Sequence, residues 1–123
     1  MAKKLIYIIE DDSDIRDAFA EILMDLQDVD VQVAENGQVG LDFLTKTTRL
    51  PDLILLDVLM PIMDGFGFRQ AQLQDERLKS IPIVVLSASH NITDLAEKMK
   101  ARAYLKKPIN IDELLEVVEP YTT

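Results

Sequence analysis

The sequence predicts an α/β protein, a doubly wound (βα)5 domain whose five-stranded parallel sheet carries helices on both faces. Three observations lead there. Leu5-Ile6-Tyr7-Ile8-Ile9, Leu53-Ile54-Leu55-Leu56 and Ile83-Val84-Val85-Leu86 are short continuous apolar runs rich in branched side chains, the pattern of strands buried on both faces. Segments of helical periodicity separate them, and strand–helix alternation implies parallel strands joined by right-handed crossovers. The chain has 123 residues, 48% of them apolar, enough for one domain with a real core and too apolar for a disordered acidic tail.

The first strand, 5–9, runs into Glu10-Asp11-Asp12. Ser13 is then expected to cap a helix that carries Ile15, Phe19, Ile22, Leu23 and Leu26 on one face. Val29, Val31 and Val33 alternate with polar residues and predict a second strand with one wetter face. Asn36-Gly37 opens a weaker helical pattern through Val39, Phe43 and Leu44; a hairpin reading of the same dipeptide fails because no strand follows closely. The third strand ends at Asp57. The stretch 65–75 is ambiguous, with Gly65 expected at a positive-φ turn and Phe66 and Phe68 expected to pack a helix on the sheet. The fourth strand ends at Ser87, and Thr93 is expected to cap a helix with Leu95, Ala96 and Met99. Tyr104-Leu105 is a short edge strand. Asn110 and Glu113 have capping-box spacing ahead of Ile111, Leu114, Leu115 and Val118, and Pro120 stops that last helix.

Charge and composition exclude several functions. With 22 acidic and 13 basic residues the chain carries −9, which disfavours direct DNA binding because a phosphate backbone requires clustered Lys and Arg. There is no cysteine, hence no disulfide, thiolate metal site or Cys nucleophile. No apolar run approaches the roughly 18 residues of a membrane span. Glu10 also cuts the N-terminal apolar run short of a signal sequence. The expectation is a cytoplasmic protein that does not insert into membranes. Met1 lies just before the first strand and the chain ends soon after Pro120, so 1–123 reads as one domain with a natural start and no effector domain.

In wound α/β folds ligands bind beyond the carboxyl ends of the strands. Glu10-Asp11-Asp12, Asp57, Ser87 and Lys106-Lys107-Pro108 all fall there, after four of the five strands. Taken singly, an Asp after a strand is usually a turn residue, a Ser a cap and a Lys merely exposed. Their convergence points to a site. Two unit charges 4 Å apart cost about 4 kcal/mol at an effective dielectric of 20, so crowded carboxylates need a proton or a cation. With only oxygen ligands nearby, a hard ion such as Mg²⁺ fits. A metal, a Lys and a hydroxyl around one carboxylate suit stabilisation of a phosphoryl group.

These residues resemble the receiver domain of two-component response regulators. The resemblance spans essentially the whole chain. It rests on Glu10-Asp11-Asp12; on Asp57-Val58-Leu59-Met60-Pro61-Ile62-Met63-Asp64-Gly65, close to that family's D-x-x-M-P-x-M-D-G; on the strand ending Ser87-Ala88; and on Tyr104-Leu105-Lys106-Lys107-Pro108. It implies the flavodoxin-like strand order 2-1-3-4-5 and a phosphorylation-activated switch of the single-domain type. By the same resemblance Asp57 is the phosphoacceptor. Glu10 and Asp11 are the acidic pair, and Mg²⁺ is held by Asp11, Asp57 and the carbonyl of Leu59 with Glu10 in support. Ser87 and Lys107 contact the phosphoryl group, Ser87 and Tyr104 form the switch, and the Lys107–Pro108 bond is a cis candidate. The implied partners are a sensor histidine kinase or phosphotransfer protein, and a downstream protein docking on the region 92–118. The chain would assist its own phosphorylation and slow dephosphorylation without being a conventional enzyme. One departure is Lys100 in a stretch that usually begins with Gly. Another is Leu59, apolar where some members carry a polar side chain that influences loss of the phosphoryl group.

The alternative is a Mg²⁺-dependent phosphohydrolase of the haloacid dehalogenase type, which also uses an Asp after a strand. That family places a second Asp two residues on, where this chain has Leu59. A nucleotide- or flavin-binding module lacks its Gly-rich loop here. His90, the single histidine, reads as an exposed loop residue, and Met60, Met63 and Met99 as packing. Residues 98–107 hold five basic side chains and no acid, so the remainder of the chain is more acidic than the whole; this stretch is a solvated face or a partner surface.

Overall fold

A computed structural model describes residues 3–123. Five strands, β1 (Leu5–Ile9), β2 (Asp30–Ala34), β3 (Leu53–Asp57), β4 (Ile83–Ser87) and β5 (Ala103–Lys106), form one parallel sheet in the order β2-β1-β3-β4-β5. Between and after them lie α1 (Ser13–Gln27), α2 (Gly37–Lys46), α3 (Gly65–Leu73), α4 (Ile92–Lys98) and α5 (Ile111–Val118). The expected doubly wound, flavodoxin-like order is therefore observed, with β2 and β5 at the edges.

The central runs alternate between two cores with period two. Tyr7, Ile9, Ile54, Leu56, Ile83 and Val85 face one helical layer, meeting Leu44 of α2, Phe68 of α3 and Ile92 of α4. Ile6, Ile8, Leu53, Leu55, Val84 and Leu86 face the other, meeting Phe19 and Leu23 of α1 and Leu114 and Val118 of α5. Every residue of β1, β3 and β4 is buried, which is why these three read as unbroken apolar runs. β2 is only half-buried over four of its five residues, as its polar alternation requires.

The helix starts correct the sequence reading. Asp12, not Ser13, caps α1: its carboxylate accepts from the N–H groups of Asp14 and Ile15, and Ser13 is the first helical residue. Thr93 lies inside α4, which begins at Ile92 after Asn91 without a side-chain cap. Asn36 caps α2 as the helical reading of Asn36-Gly37 requires, and Asn110 caps α5 by accepting from Asp112 and Glu113. Pro120 sits in a 3-10 turn, Glu119–Tyr121, directly after α5. Leu26 is 61% exposed, because α1 turns only Phe19 and Leu23 fully inward. In α2 the inward residues are Gly37, Gly40 and Leu44, which leaves Val39 and Phe43 partly in solvent. Phe68 packs on the sheet, whereas Phe66 faces out.

Register positions the site. Ile9 pairs with Leu56, Asp57 with Leu86, and Ser87 with Lys106. Glu10 therefore comes level with Asp57, and Ser87 and Lys107 each follow one residue beyond the pairing of the strand before, so the four arrive together at the carboxyl edge.

Candidate phosphoacceptor and metal site

Glu10 leaves β1 fully buried and tightly held. Its N–H donates to Ala34 O at 3.0 Å, and its carbonyl accepts from Arg16 Nη1 at 2.9 Å. Its Oε2 accepts from the Asp12 N–H at 3.1 Å. Asp12 thus links the acidic run to α1, and Arg16, one helical turn on, pins the end of β1. Neither role stands out in the sequence, where one Asp of three and one Arg on an exposed-looking helix carry no special spacing.

Asp57 closes β3 and is 3% exposed. Its neighbour Val58 donates to Leu86 O, and the Val58 carbonyl accepts from Gly65 N at 2.8 Å, which folds the β3–α3 loop back over the strand end. This explains Gly65, although not by the expected positive φ: no glycine here has one. A Cβ at Gly65 would lie 2.6 Å from Asp57 O and 2.9 Å from Val58 Cα, both backbone atoms. Close approach to the end of β3 requires the missing side chain. The positive-φ residue of this loop is Ile62, which sits between Pro61 O and Met63 N in a γ-turn closed at 2.8 Å.

Lys107 reaches both buried acids. Its Nζ lies 2.7 Å from Glu10 Oε1 and 3.3 Å from Asp57 Oδ1. One carboxylate oxygen each of Glu10, Asp11 and Asp57 lies within 4.8 Å of the others. Burial, then hydrogen bonding and charge from Glu10, pushes the Asp57 carboxyl up from its ordinary 3.8 to about 8, against the opposing pull of Lys107. Asp11 is the exposed member. Its partial burial works against ionisation, but hydrogen bonds with Asp57 and Glu10 and the charge of Lys107 outweigh it and lower its pKa. For Lys107 burial disfavours the charge, yet the two acids prevail and raise its pKa.

Ser87 is buried at the end of β4. Its Oγ accepts from the Ser89 N–H at 3.0 Å, which leaves its own proton to donate. Its carbonyl accepts from the Lys107 N–H at 2.9 Å, tying the β4 end to the loop that carries Lys107. The Lys107–Pro108 bond is cis. Tyr104 of β5 is 43% exposed and lies outside both cores. Leu59 follows Asp57 with its side chain 76% exposed, and His90 is exposed in the β4–α4 loop. Met99 is core, while Met60 and Met63 pack partly against it.

The donor set fits a hard divalent cation. It is all oxygen and it gathers three carboxylates against one ammonium, with the fully buried Glu10 Oε1 contacted by Lys107 Nζ alone among the ion pairs of the described residues. No helix of the described residues is long and apolar enough to cross a membrane.

Known proteins of the same build place this arrangement. Residues 6–119 match the response regulator receiver domain family. A 14.6 kDa protein of Leptolyngbya boryana is 31% identical over 98% of this chain and 92% of its own length. The DNA-binding dual master transcriptional regulator RpaA of Synechocystis is 37% identical over 89% of this chain. The chain spans about half the length of RpaA and of several other curated relatives it matches. Among solved structures, a response regulator from Chloroflexus aurantiacus superposes with a TM-score of 0.87 at 26% identity over 97% of both chains. The chemotaxis response regulator CheY4 of Vibrio cholerae gives 0.86 at 26% identity over 98% of this chain and 99% of its own. Sheet order, acidic pocket and these matches agree: the chain belongs to the response regulator receiver domain family.

Proposed function

We propose that the chain is a phosphorylation-activated signalling switch in which Asp57 takes a phosphoryl group from a phosphohistidine of a sensor kinase or phosphotransfer protein. The observation that carries this reading is Asp57 itself, a buried carboxylate at a strand end with Lys107 Nζ 3.3 Å from its Oδ1 and two more carboxylates beside it. An Asp57 oxygen attacks phosphorus in line; an O–P bond forms as the partner's P–N bond breaks and its imidazole leaves. Asp11, Asp57 and the Leu59 carbonyl, with Glu10 behind them, are the groups that would hold Mg²⁺. When bound, Mg²⁺ supplies positive charge to the carboxylates and to the phosphoryl oxygens. Lys107 would neutralise a phosphoryl oxygen on Asp57. The Ser87 hydroxyl donates to another, and its movement couples Asp57 to Tyr104 and to the surface 92–118, where a downstream protein docks. Output therefore passes through protein contacts or onward phosphotransfer, not through DNA binding by this domain.

The test is phosphorylation by acetyl phosphate or a kinase with Mg²⁺ present. Wild type is expected to form a base-labile adduct that Asp57→Asn lacks. Label that persists on the variant, or appears on His90, overturns the assignment. Ser87→Ala is expected to retain the adduct and lose the spectral response around Tyr104.

A further inference from the structure

The outer faces of α3 and α4 meet in a groove of about 300 Å³ lined by Phe66, Arg69, Gln70, Leu73, Lys98 and Met99. It lies away from the acidic pocket, and its lining contains no acid. Phe66 is 41% and Leu73 38% exposed, two large apolar side chains about two helical turns apart on α3. Among the described residues no element covers them.

Arg69 gives the groove its charge. It is 7% exposed and makes no ion pair among the described residues. Its guanidinium is held by neutral acceptors alone: Nε donates to Met99 O at 2.9 Å, Nη2 to Lys100 O at 3.1 Å and Nη1 to Gln72 Oε1 at 2.8 Å. Gln72 is in turn anchored on the carbonyls of Leu78 and Ile81. The hydrogen bonds are satisfied, but the charge is not. Burial and the like charge of Arg102 both press against protonation of Arg69. Lys98, Lys100 and Arg102 are exposed around it, so positive charge is concentrated here in a chain whose net charge is −9. Asp94 and Glu97 of α4 line a separate pocket together with Lys98.

We infer that the α3–α4 groove is a docking site for an acidic segment of a partner protein that inserts one apolar side chain between Phe66 and Leu73. Carboxylates of the segment pair with Lys98 and Arg102 at the rim and compensate the field of Arg69, while the apolar side chain covers the two exposed side chains of α3. A peptide fits better than a nucleic acid. The groove offers one apolar slot with a basic rim, whereas the acidity of the rest of the chain repels an extended polyanion. The groove is distinct from the phosphoacceptor pocket, and its α4 side, Lys98 and Met99, belongs to the 92–118 face proposed above for output, whereas its α3 side does not.

The experiment is amide-shift mapping of the full chain with three probes: a short acidic peptide with one central phenylalanine, the same peptide with alanine there, and a single-stranded oligonucleotide. The phenylalanine peptide is expected to perturb Phe66, Gln70, Leu73, Lys98 and Lys100, to bind more tightly than the alanine peptide, and to weaken with salt. Lys98→Glu with Arg102→Glu, both exposed and therefore benign for folding, is expected to weaken binding about tenfold. Leu73→Ser is expected to remove the difference between the two peptides. Absence of shifts at these residues at millimolar peptide, shifts confined to another surface, affinity unchanged by the charge reversals, or binding of the oligonucleotide alone each overturns the proposal.

Discussion

Asp57→Asn is expected to stabilise the fold, by an amount that grows with pH. Asp57 is 3% exposed and its pKa stands at about 8 in the folded chain against 3.8 ordinarily. Between those values the folded state holds a proton that the unfolded state has released, so unfolding releases a proton and stability falls as pH rises. The penalty is absent below pH 3.8, accumulates through the window, and is complete above about 8. At 1.36 kcal/mol per pH unit the four-unit window sets an upper bound of about 6 kcal/mol. Water entry and adjustment of the Lys107 side chain, itself 20% exposed, reduce it. A gain of about 2–4 kcal/mol at pH 8, or roughly 8 °C or more in Tm, is the expected size. Asparagine keeps the shape and removes the charge.

The assay is urea unfolding of wild type and variant at several pH values between 4 and 8.5, without divalent cations. The quantity to follow is their difference, which cancels the contributions of acids outside the pocket; Asp11, whose lowered pKa acts in the opposite sense and depends in part on Asp57, is matched by repeating the pair on an Asp11→Asn background. A difference near zero at pH 4 that rises monotonically to pH 8 supports the argument. A difference independent of pH, or a variant less stable at pH 8, refutes it, because burial of an ionisable Asp57 would then carry no cost.

Mg²⁺ is expected to stabilise wild type by about 1–3 kcal/mol at saturating concentrations, as any ligand specific to the folded state does, and Asp11→Asn should lose most of that increment in a thermal melt. Gly65→Ala is expected to destabilise by about 1–3 kcal/mol and to slow phosphorylation, since its Cβ would meet Asp57 O at 2.6 Å; unchanged denaturation and labelling rates would dismiss the close-approach argument. Lys100 has φ 56, so glycine there relieves left-handed strain while loosening the unfolded chain; urea midpoints should show a change between nil and a gain of about 1 kcal/mol, and a clear loss would contradict the reading.

The sheet was legible because its three central strands are buried on both faces, which leaves unbroken apolar runs that no helix period imitates. The site was legible for a related reason: charged residues placed directly after such runs must emerge together at one sheet edge. Local detail was less accessible. Ser13 and Asp12 are both good caps, and only the backbone turn after Glu10 selects Asp12. α3 hides its pattern because two of its buried residues, Arg69 and Gln72, are polar and satisfied by carbonyls from elsewhere in the chain, while its apolar Phe66 and Leu73 face solvent. Periodicity counts apolar residues and misreads a helix that buries a hydrogen-bonded network. Lys100 and Ile62 show no signal for positive φ, because neither is a residue that favours it. The chain holds a left-handed turn at Lys100, with Arg69 bonded to the Lys100 carbonyl.

The same packing that makes the site precise also makes it self-opposed. Glu10 and Asp57 are buried because β1 and β3 are buried, and the register of these adjacent strands sets the two level, with their carboxylates within 4.8 Å of each other and of Asp11. Lys107 is the one cation in ion-pair contact with Glu10 and Asp57 among the described residues, and one ammonium cannot balance three carboxylates. The pocket therefore has two ways to reach low energy near neutral pH: Asp57 keeps a proton, or a divalent cation replaces it. A protonated Asp57 is a poor nucleophile, so the route that relieves the repulsion by metal is also the route that frees the oxygen to react. Stability and reactivity are then read from one ionisation. A condition that leaves Asp57 protonated should raise stability and suppress phosphoryl uptake together, and their opposite movement as pH falls from 8 toward 5 is what links the acidic pocket to its chemistry.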